Sequence, residues 1–385
     1  LPVSVEATPH PLSVEVEGEI RTYPPGVTPL QIYLSLKKEE KEEPIVAEWN
    51  GKLWDLSRPL PEGGKIVFHT AKTPSGLSVL RHSTAHLMAQ AIKRLYPNAR
   101  ITIGPVIEDG FYYDIDCEKP FTPDDLKRIE EEMKKIQKEN LFIKREEISK
   151  EEAYRLFEKL GETYKLEILN EIPEPTVSIY RQGEFVDLCR GPHVPRTGVL
   201  KVFKLLQVAG AYWRGDERNP MLQRIYGTAF PTEEELKEYL HFVELAKKRD
   251  HRRLGQELKL FSIHEEVGAG LILWHPKGVI LREMVEKEIR TLLSENDYQF
   301  VLTPHVAREN LWEISGHLKH YTESMFPPMD VDGIRYRVKP MNCPFHIQIY
   351  KSYLRSYKEL PLRLAEFGTV YRYERGGVMH GLMRV

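Results

Sequence analysis

Residues 77–97, LSVLRHSTAHLMAQAIKRLYP, constrain the fold more than any other stretch. Apolar positions recur at helical spacing, and Pro97 closes the run. Leu80, Leu87, Ala91 and Leu95 make one stripe, which such a helix has to bury. His82 and His86 stand four apart, so they share a second face, off that stripe. About a hundred residues later comes Cys189-x-x-x-His193. Two histidines and a Cys/His pair are a donor set for tetrahedral zinc. They equally suit a pocket in which imidazole activates water. Separate, satisfied histidines and a buried thiol are a third reading, and spacing alone leaves all three open.

The chain has 385 residues, enough for two or three domains with real cores. Lys+Arg 55 against Asp+Glu 57 leaves a net charge of −2, so there is no global basic field. Nucleic-acid binding would then have to rest on local patches. Three cysteines in a chain of this length do not suggest a disulfide framework, and a reducing cytoplasm is expected. No apolar run approaches the length of a membrane span, and no signal-peptide pattern stands at Leu1. The sequence starts without Met, which suggests a trimmed or incompletely recorded start.

An α+β, multidomain organisation follows from the punctuation. In residues 12–70, LSVEVEG alternates as a strand, Pro24-Pro25-Gly26 turns, and Thr28-Pro29 opens a short helix. IVAEWNGKLWDL offers two strands around Asn50-Gly51, a strong hairpin signal, and KIVFHT a last strand. The pattern is ubiquitin-like. LKKEEKEEP reads as a charged surface turn, and AKTPSG as a boundary. Beyond the histidine helix, ITIGPVIEDGFYYDID reads as strands with a turn at Asp109-Gly110. Thr122-Pro123-Asp124-Asp125 starts a helix whose apolar face is Leu126, Ile129, Met133 and Ile136. Ser149 with Glu152 boxes the next helix, which Gly161 can end. VSIYRQGEFVDLCRGPHV returns to strand and turn. Thr232 with Glu235 caps a helix expected through about Arg253, ending in the basic KKRDHRR. LILWHPKG then precedes a long helix, VILREMVEKEIRTLLSEN, and a strand, YQFVLTP.

The last stretch, LPLRLAEFGTVYRYERGGVMHGLMRV, reads as two antiparallel strands joined by a long glycine-containing loop. Residues two apart share a face of a strand, so Arg372 and Glu374 project together. An arginine fork suits a phosphate and a carboxylate accepts from an exocyclic amine, which makes a nucleotide clamp. A cross-strand ion-paired ribbon is the plainer alternative.

This segment resembles motif 2 of class II aminoacyl-tRNA synthetases, in detail that of the threonyl-tRNA synthetase family. KPMNCPFHIQIYKS is similar to that family's approach to its amino-acid pocket. The helix–strand run ending at Pro304 resembles its motif 1, and WNGKLWDLSRPLPEGGKI its amino-terminal TGS domain. HSTAHLMAQAIKRLYP and FVDLCRGPHVP resemble the two signatures of its editing domain, which recur in alanyl-tRNA editing proteins. The resemblance implies a TGS domain over 1–72, an editing domain over 73–231, a linker helix over 232–253 and the front part of a class II antiparallel-sheet catalytic domain over 254–385. Motif 3, two zinc-ligating histidines and an anticodon-binding domain would lie beyond Val385.

By motif position, the resemblance places His82, His86, Lys165, Asp187, Cys189 and His193 in a pocket that hydrolyses seryl-tRNA, with Tyr113 as a wall. It gives Arg372 the ATP α-phosphate, Glu374 the adenine amine and Arg384 the terminal phosphates. Met341 would line the threonine pocket, and Cys343 would be the first ligand of one zinc ion per subunit. Magnesium would accompany ATP, and the partners would be tRNA(Thr), ATP, threonine and a second copy joined through motif 1. The enzyme would be a soluble cytoplasmic threonine–tRNA ligase with ester-hydrolase activity. The chain as it stands is expected to hold catalytic zinc weakly and to make no threonyl-adenylate. A freestanding editing hydrolase and a non-catalytic RNA-binding module are the competing classes, and the ATP clamp speaks against the first. Editing has a physical reason: a missing methyl is worth only about 1–3 kcal/mol of discrimination, so a threonine site cannot exclude serine.

Overall fold

The computed structural model describes residues 10–36, 42–216, 218–268, 271–373 and 382. The chain is mixed α+β and divides into two compact units, Leu1–His241 and Phe242–Val385.

The first unit opens on a mixed sheet. Strands β1 (Leu12–Val16) and β2 (Glu19–Tyr23) precede α1 (Pro29–Ser35), then come β3 (Val46–Trp49), β4 (Lys52–Trp54) and β5 (Gly64–His69). The order is β2-β1-β5-β3-β4, with β1 and β5 parallel and the other pairs antiparallel. Asn50 and Gly51 both take positive φ, 49° and 79°, as a two-residue hairpin of the I′ type demands. Thr28 and Gln31 close a capping box at the head of α1. Val14, Ile32, Ala47, Trp49, Leu56 and Ile66 form one buried cluster. Most of the charged turn, residues 37–41, lies outside the described residues.

AKTPSG supplies the cap and first turn of a helix rather than an extended connection. Thr73 accepts from the Gly76 N–H, and Pro74 takes the first position of α2 (Pro74–Leu95). A proline at the first helical position is pre-set for the turn, so the residues that read as a break are a start signal. Leu80, Leu87 and Ala91 are buried as the stripe requires, and Leu95 is half-buried. Burial goes further: Val79, Ala85, Met88, Ala89 and Ile92 are also within the core. At about 1.5–3 kcal/mol for each large apolar side chain, Leu87, Met88 and Ile92 make α2 a principal anchor of the unit.

Strands β6 (Arg100–Ile101), β7 (Val106–Ile107) and β8 (Gly110–Asp116) follow, then α3 (Pro123–Glu139), β9 (Ile143–Ser149), α4 (Lys150–Lys159) and α5 (Thr163–Glu171). Next come β10 (Thr176–Gln182), β11 (Phe185–Leu188), β12 (Phe203–Tyr212) and β13 (Met221–Ala229). One antiparallel sheet runs β12-β13-β8-β6, with β7 on β8, and α2 and α3 pack against it. A second runs β11-β10-β9 and shares a core with α4 and α5. The helix start at Thr122, the capping box at Ser149, the buried face of α3, and Gly161 at φ 71° after α4 match the sequence reading, and Asp125 adds a capping box at Thr122.

Helix α6 (Glu233–Lys248) starts with the Thr232 hydroxyl accepting from the Glu235 N–H. It does not continue to Arg253. The Asp250 carboxylate accepts from the Arg252 N–H and caps a new helix, α7 (His251–Glu257). Aspartate competes for backbone N–H groups and so favours a cap over a helix interior. The basic run there is self-paired: Lys248 with Glu244, Arg252 with Asp250 and Arg253 with Glu257.

In the second unit, β14 (Phe261–Ile263) pairs with β15 (Ile272–Trp274), and α8 (Pro276–Glu295) is the long helix. After it come β16 (Gln299–Phe300), β17 (Val306–Arg308), α9 (Glu309–Ile314), α10 (His317–His320), β18 (Met329–Val331), β19 (Ile334–Val338), α11 (Cys343–Lys351) and β20 (Leu364–Ala365). The expected antiparallel sheet is present among the described residues as pieces, β14-β15 and β17-β19-β18, beside a parallel pair, β16-β20. The strands expected at YQFVLTP and LAEFGTVYRY pair over two residues only. Beyond Ala365 the ladder is replaced by a side chain: the Glu366 carboxylate accepts from the Thr303 N–H at 2.8 Å. Single backbone bonds then fix the chain, Tyr371 N–H to the Lys339 carbonyl at 2.8 Å and Tyr373 N–H to the Ser324 carbonyl at 2.9 Å. The loop and second strand of the expected ribbon, with Glu374 and Arg384, lie outside the described residues.

Candidate active site

Three elements of the first unit converge on one cavity. Helix α2 brings His82 and His86, one turn apart. Strand β11 ends at Leu188 and delivers Asp187 and Cys189, and the following turn carries His193. Helix α5 sends in Lys165. The ligand atoms of His82, His86, Cys189 and His193 all lie within 4.8 Å of one another. His82 Nε2 is 3.1 Å from Cys189 Sγ, and His193 Nε2 is 3.4 Å from the same sulfur. The cavity has a volume of 830 Å³, and His82, His86, Tyr113, Lys165, Asp187 and Cys189 are on its wall. Arg145 and Arg190 also line it.

A second set of groups holds the first. The Asp187 carboxylate sits 2.5 Å from Lys165 Nζ through one oxygen; the other accepts from the Tyr113 hydroxyl at 2.5 Å and lies 3.6 Å from His86 Nδ1. Lys165 also donates to the Thr102 carbonyl at 2.6 Å. Lys165 and Asp187 are 2% and 1% exposed, so each charge depends on the other for compensation. Ser83 Oγ is 3.1 Å from His193 Nδ1 and accepts from the Val194 N–H, which fixes that ring from behind.

Electrostatics keep the pocket neutral where a base is needed. Burial lowers the pKa of His82, and it lowers those of His86 and His193 well below the ordinary imidazole value. Burial, with the Asp187 charge beside it, pushes the Cys189 thiol up to about 12. Burial, followed by Asp187, also raises Tyr113. At neutral pH the cluster therefore holds uncharged imidazoles and a protonated thiol, with His82 Nε2 and His193 Nε2 both turned toward the sulfur. His82 is half-buried and faces the cavity, whereas His86 and His193 are 5% and 1% exposed.

The second unit gathers the other candidates around residues 339–346. Arg372 Nε donates to the Pro340 carbonyl at 3.4 Å, and its guanidinium lies over the Tyr321 ring at 5.4 Å. Met341 Sδ is 3.2 Å from His317 Nε2. Cys343 is exposed at the start of α11, and no metal-ligating group forms around it among the described residues. His346, not a candidate ligand by sequence, pairs with Glu366 at 3.0 Å. Burial would raise the Glu366 carboxyl, but hydrogen bonds from His346 and Thr303 and the Lys339 charge outweigh it and hold its pKa below the usual range.

Family models match this chain in two places. Residues 177–226 match the threonyl and alanyl tRNA synthetase second additional domain, and residues 328–385 match the class II tRNA synthetase core domain (G, H, P, S and T). Over 370 residues, 96% of the chain, it is 54% identical to the threonine–tRNA ligase of Geobacillus sp. (strain WCH70). Over 371 residues, again 96%, it is 52% identical to that of Magnetococcus marinus (strain ATCC BAA-1437 / JCM 17883 / MC-1). The chain belongs to the threonyl-tRNA synthetase family. It spans 58% and 57% of the length of those two ligases. A solved RNA-binding domain of the threonyl-tRNA synthetase from Cryptosporidium parvum Iowa II overlaps 36% of this chain and 34% of that one, at 40% identity and a TM-score of 0.34.

The two threonyl-tRNA synthetase signatures carry His82, His86, Asp187, Cys189 and His193, while Arg145 and Arg190 on the cavity wall, and other groups that hold the cluster, were not named from the sequence. Ser83 stands beside His82 in the HST stretch, yet only the fold shows that it turns to His193. Tyr180 lies against His193 at a tilt of 53°, with ring centroids 4.4 Å apart, and no spacing rule links it to the Cys/His pair. Lys339, 1% exposed, donates to the Thr303 hydroxyl at 2.9 Å, and lysine is a residue type seldom found fully buried.

Proposed function

We propose that this chain forms the editing apparatus and part of the synthetic apparatus of a cytoplasmic threonine–tRNA ligase. Its first unit removes serine from mischarged tRNA(Thr). One observation carries the reading: His82, His86, Cys189 and His193 cluster at a cavity that the first three line, and whose Asp187 is braced by Lys165 and Tyr113. The seryl ester enters the cavity, where Arg190, and Arg145 paired with Glu147 at 2.6 Å, face the backbone phosphates. A water adds to the ester carbonyl while a neutral imidazole takes its proton. His82 is the base, because it is the histidine of the cluster that reaches the cavity without being fully enclosed. The bond to the ribose oxygen then breaks, the proton passes to that oxygen, and free serine and a tRNA 3′ hydroxyl leave. Lys165 and Tyr113 keep Asp187 oriented toward His86 and the substrate.

The donor set also fits a tetrahedral zinc ion, which His82, His86, Cys189 and His193 would hold. Bound there, zinc would lower the pKa of a coordinated water.

Residues 1–72 form a ubiquitin-like TGS domain, 73–231 the editing domain, 232–253 the linker and 254–385 the front of the catalytic domain. The mixed five-strand sheet with one helix supports the first of these. In the synthetic site Arg372 takes the ATP α-phosphate, Glu374 the adenine and Arg384 the terminal phosphates, with Mg²⁺ bound to the nucleotide. Met341 lines the threonine pocket and Cys343 contributes one ligand to zinc. A homodimer forms along α8. Its side chains Ile280, Leu281, Met284, Val285 and Leu292 are between 49% and 65% exposed, too much apolar area on one helix for a monomer's surface. Replacement of His82 by alanine tests the editing assignment. Deacylation of seryl-tRNA(Thr) is expected to fall by about two to four orders of magnitude, and unchanged turnover would remove the assignment.

A further inference from the structure

The pocket loop is held by a residue of the amino-terminal sheet. Asp55 follows β4 directly and is 6% exposed. One of its oxygens accepts from the His193 backbone N–H at 2.9 Å. The other accepts from the Tyr180 hydroxyl at 2.8 Å. Tyr180 lies against the His193 ring, and a Cβ added at Gly191 would collide with its hydroxyl. A single carboxylate thus fixes both the backbone of a cluster histidine and the ring on which that histidine rests. Three residues on, Arg58 pairs with Glu147 on the cavity wall at 3.2 Å.

We propose that Asp55 is a positioning residue for the hydrolytic pocket, and that the amino-terminal sheet acts as its brace. Nothing in Asp55 reaches the cavity, so it works through His193. A displacement of about 1 Å at a catalytic group costs on the order of a hundredfold in rate. Loss of the carboxylate is therefore read in turnover rather than in substrate affinity. The inference rests on the proposed hydrolysis, and its test separates the two.

Serine release from seryl-tRNA(Thr) is measured on the whole chain as kcat and KM, beside hydrogen exchange at the His193 amide. In Asp55→Ala, kcat is expected to fall about tenfold to a hundredfold, with KM unchanged and His193 exchange faster. In Asp55→Asn the side-chain oxygen still accepts from His193, so both exchange and most of kcat are expected to return. Should Asp55→Ala not fold, Tyr180→Phe keeps the ring and removes one partner of the carboxylate, and a lower kcat is expected there as well. Wild-type kcat in Asp55→Ala, or in Tyr180→Phe where that variant stands in, overturns the proposal. So does an Asp55→Asn as impaired as the alanine variant. A wild type that releases no serine, with His193 exchange still faster in Asp55→Ala, overturns the hydrolytic reading and leaves the brace standing.

Discussion

The two units treat their polar groups in opposite ways. In the first, the ionised pair Lys165–Asp187 is sealed within a cluster whose every member touches another. The surrounding apolar core takes in Ile45 and Val46 and continues from Val79 on α2 to Ala229 on β13. In the second, the large apolar side chains that are buried among the described residues are few, Phe261, Trp312 and Met325, while α8 shows its apolar face to solvent. Lys339 and Glu366 form a buried pair there too, but Cys343 and Met341 lie on or near the surface. A hydrolytic pocket needs dry, preorganised groups, which one folded unit supplies by itself. In the second unit the exposed face of α8 and the surroundings of Arg372 are where the proposed second copy and nucleotide would bind.

The largest expected effect lies in the sealed pair. Asp187→Asn leaves the Lys165 ammonium buried without a counter-charge, and the first unit is expected to lose about 3–5 kcal/mol. Chemical denaturation followed by a probe in that unit, such as Trp213, measures it. A loss within experimental error would mean that the pair is not sealed and that the contrast between the units fails.

Next comes pH. The three cluster histidines have folded pKa values below the unfolded value of about 6.5. Below that pH the unfolded chain binds more protons than the folded one, so stability falls as pH drops through 6.5 toward the depressed values. Above 6.5 the histidines contribute no slope. Seryl-tRNA deacylation is expected to follow the same direction: flat above neutrality and lost only in acid, as His82 takes a proton. A rate that rises with acidification would reverse the assignment of a neutral base.

The smallest effect on fold stability, though visible in mass, is on α8. Ile280→Asp with Met284→Asp changes exposed positions, and surface changes usually stay within about 0.5 kcal/mol. Sedimentation is expected to show a dimer replaced by a monomer. If both proteins sediment alike, α8 is not the contact and the second unit is less open than its surface suggests.

Legibility in the sequence divides along the same line. Short-range chemistry was readable: the hairpin at Asn50-Gly51, the helix starts at Thr28 and Thr122, the box at Ser149, and the shared face of His82 and His86 depend on neighbours within four residues. The resemblance added Asp187 and Lys165, which no spacing connects. What stayed hidden depends on tertiary closure. Asp55 reaches His193 across 138 positions, and Ser83 reaches the same ring across 110. The strand expected through Tyr373 was misjudged for a like reason, since the Glu366 side chain takes the bond a ladder would have used. The single helix expected through Arg253 is broken by Asp250, whose carboxylate caps a new helix in the midst of an otherwise helical pattern.

The most direct test is to charge threonine tRNA with serine and follow the ester in the presence of the unaltered 385-residue chain. Free serine and intact tRNA are expected to accumulate at a rate proportional to protein, and His82→Ala is expected to slow that release by about two to four orders of magnitude. Serine that stays esterified, with the first unit folded by its tryptophan fluorescence and amide exchange, would contradict it.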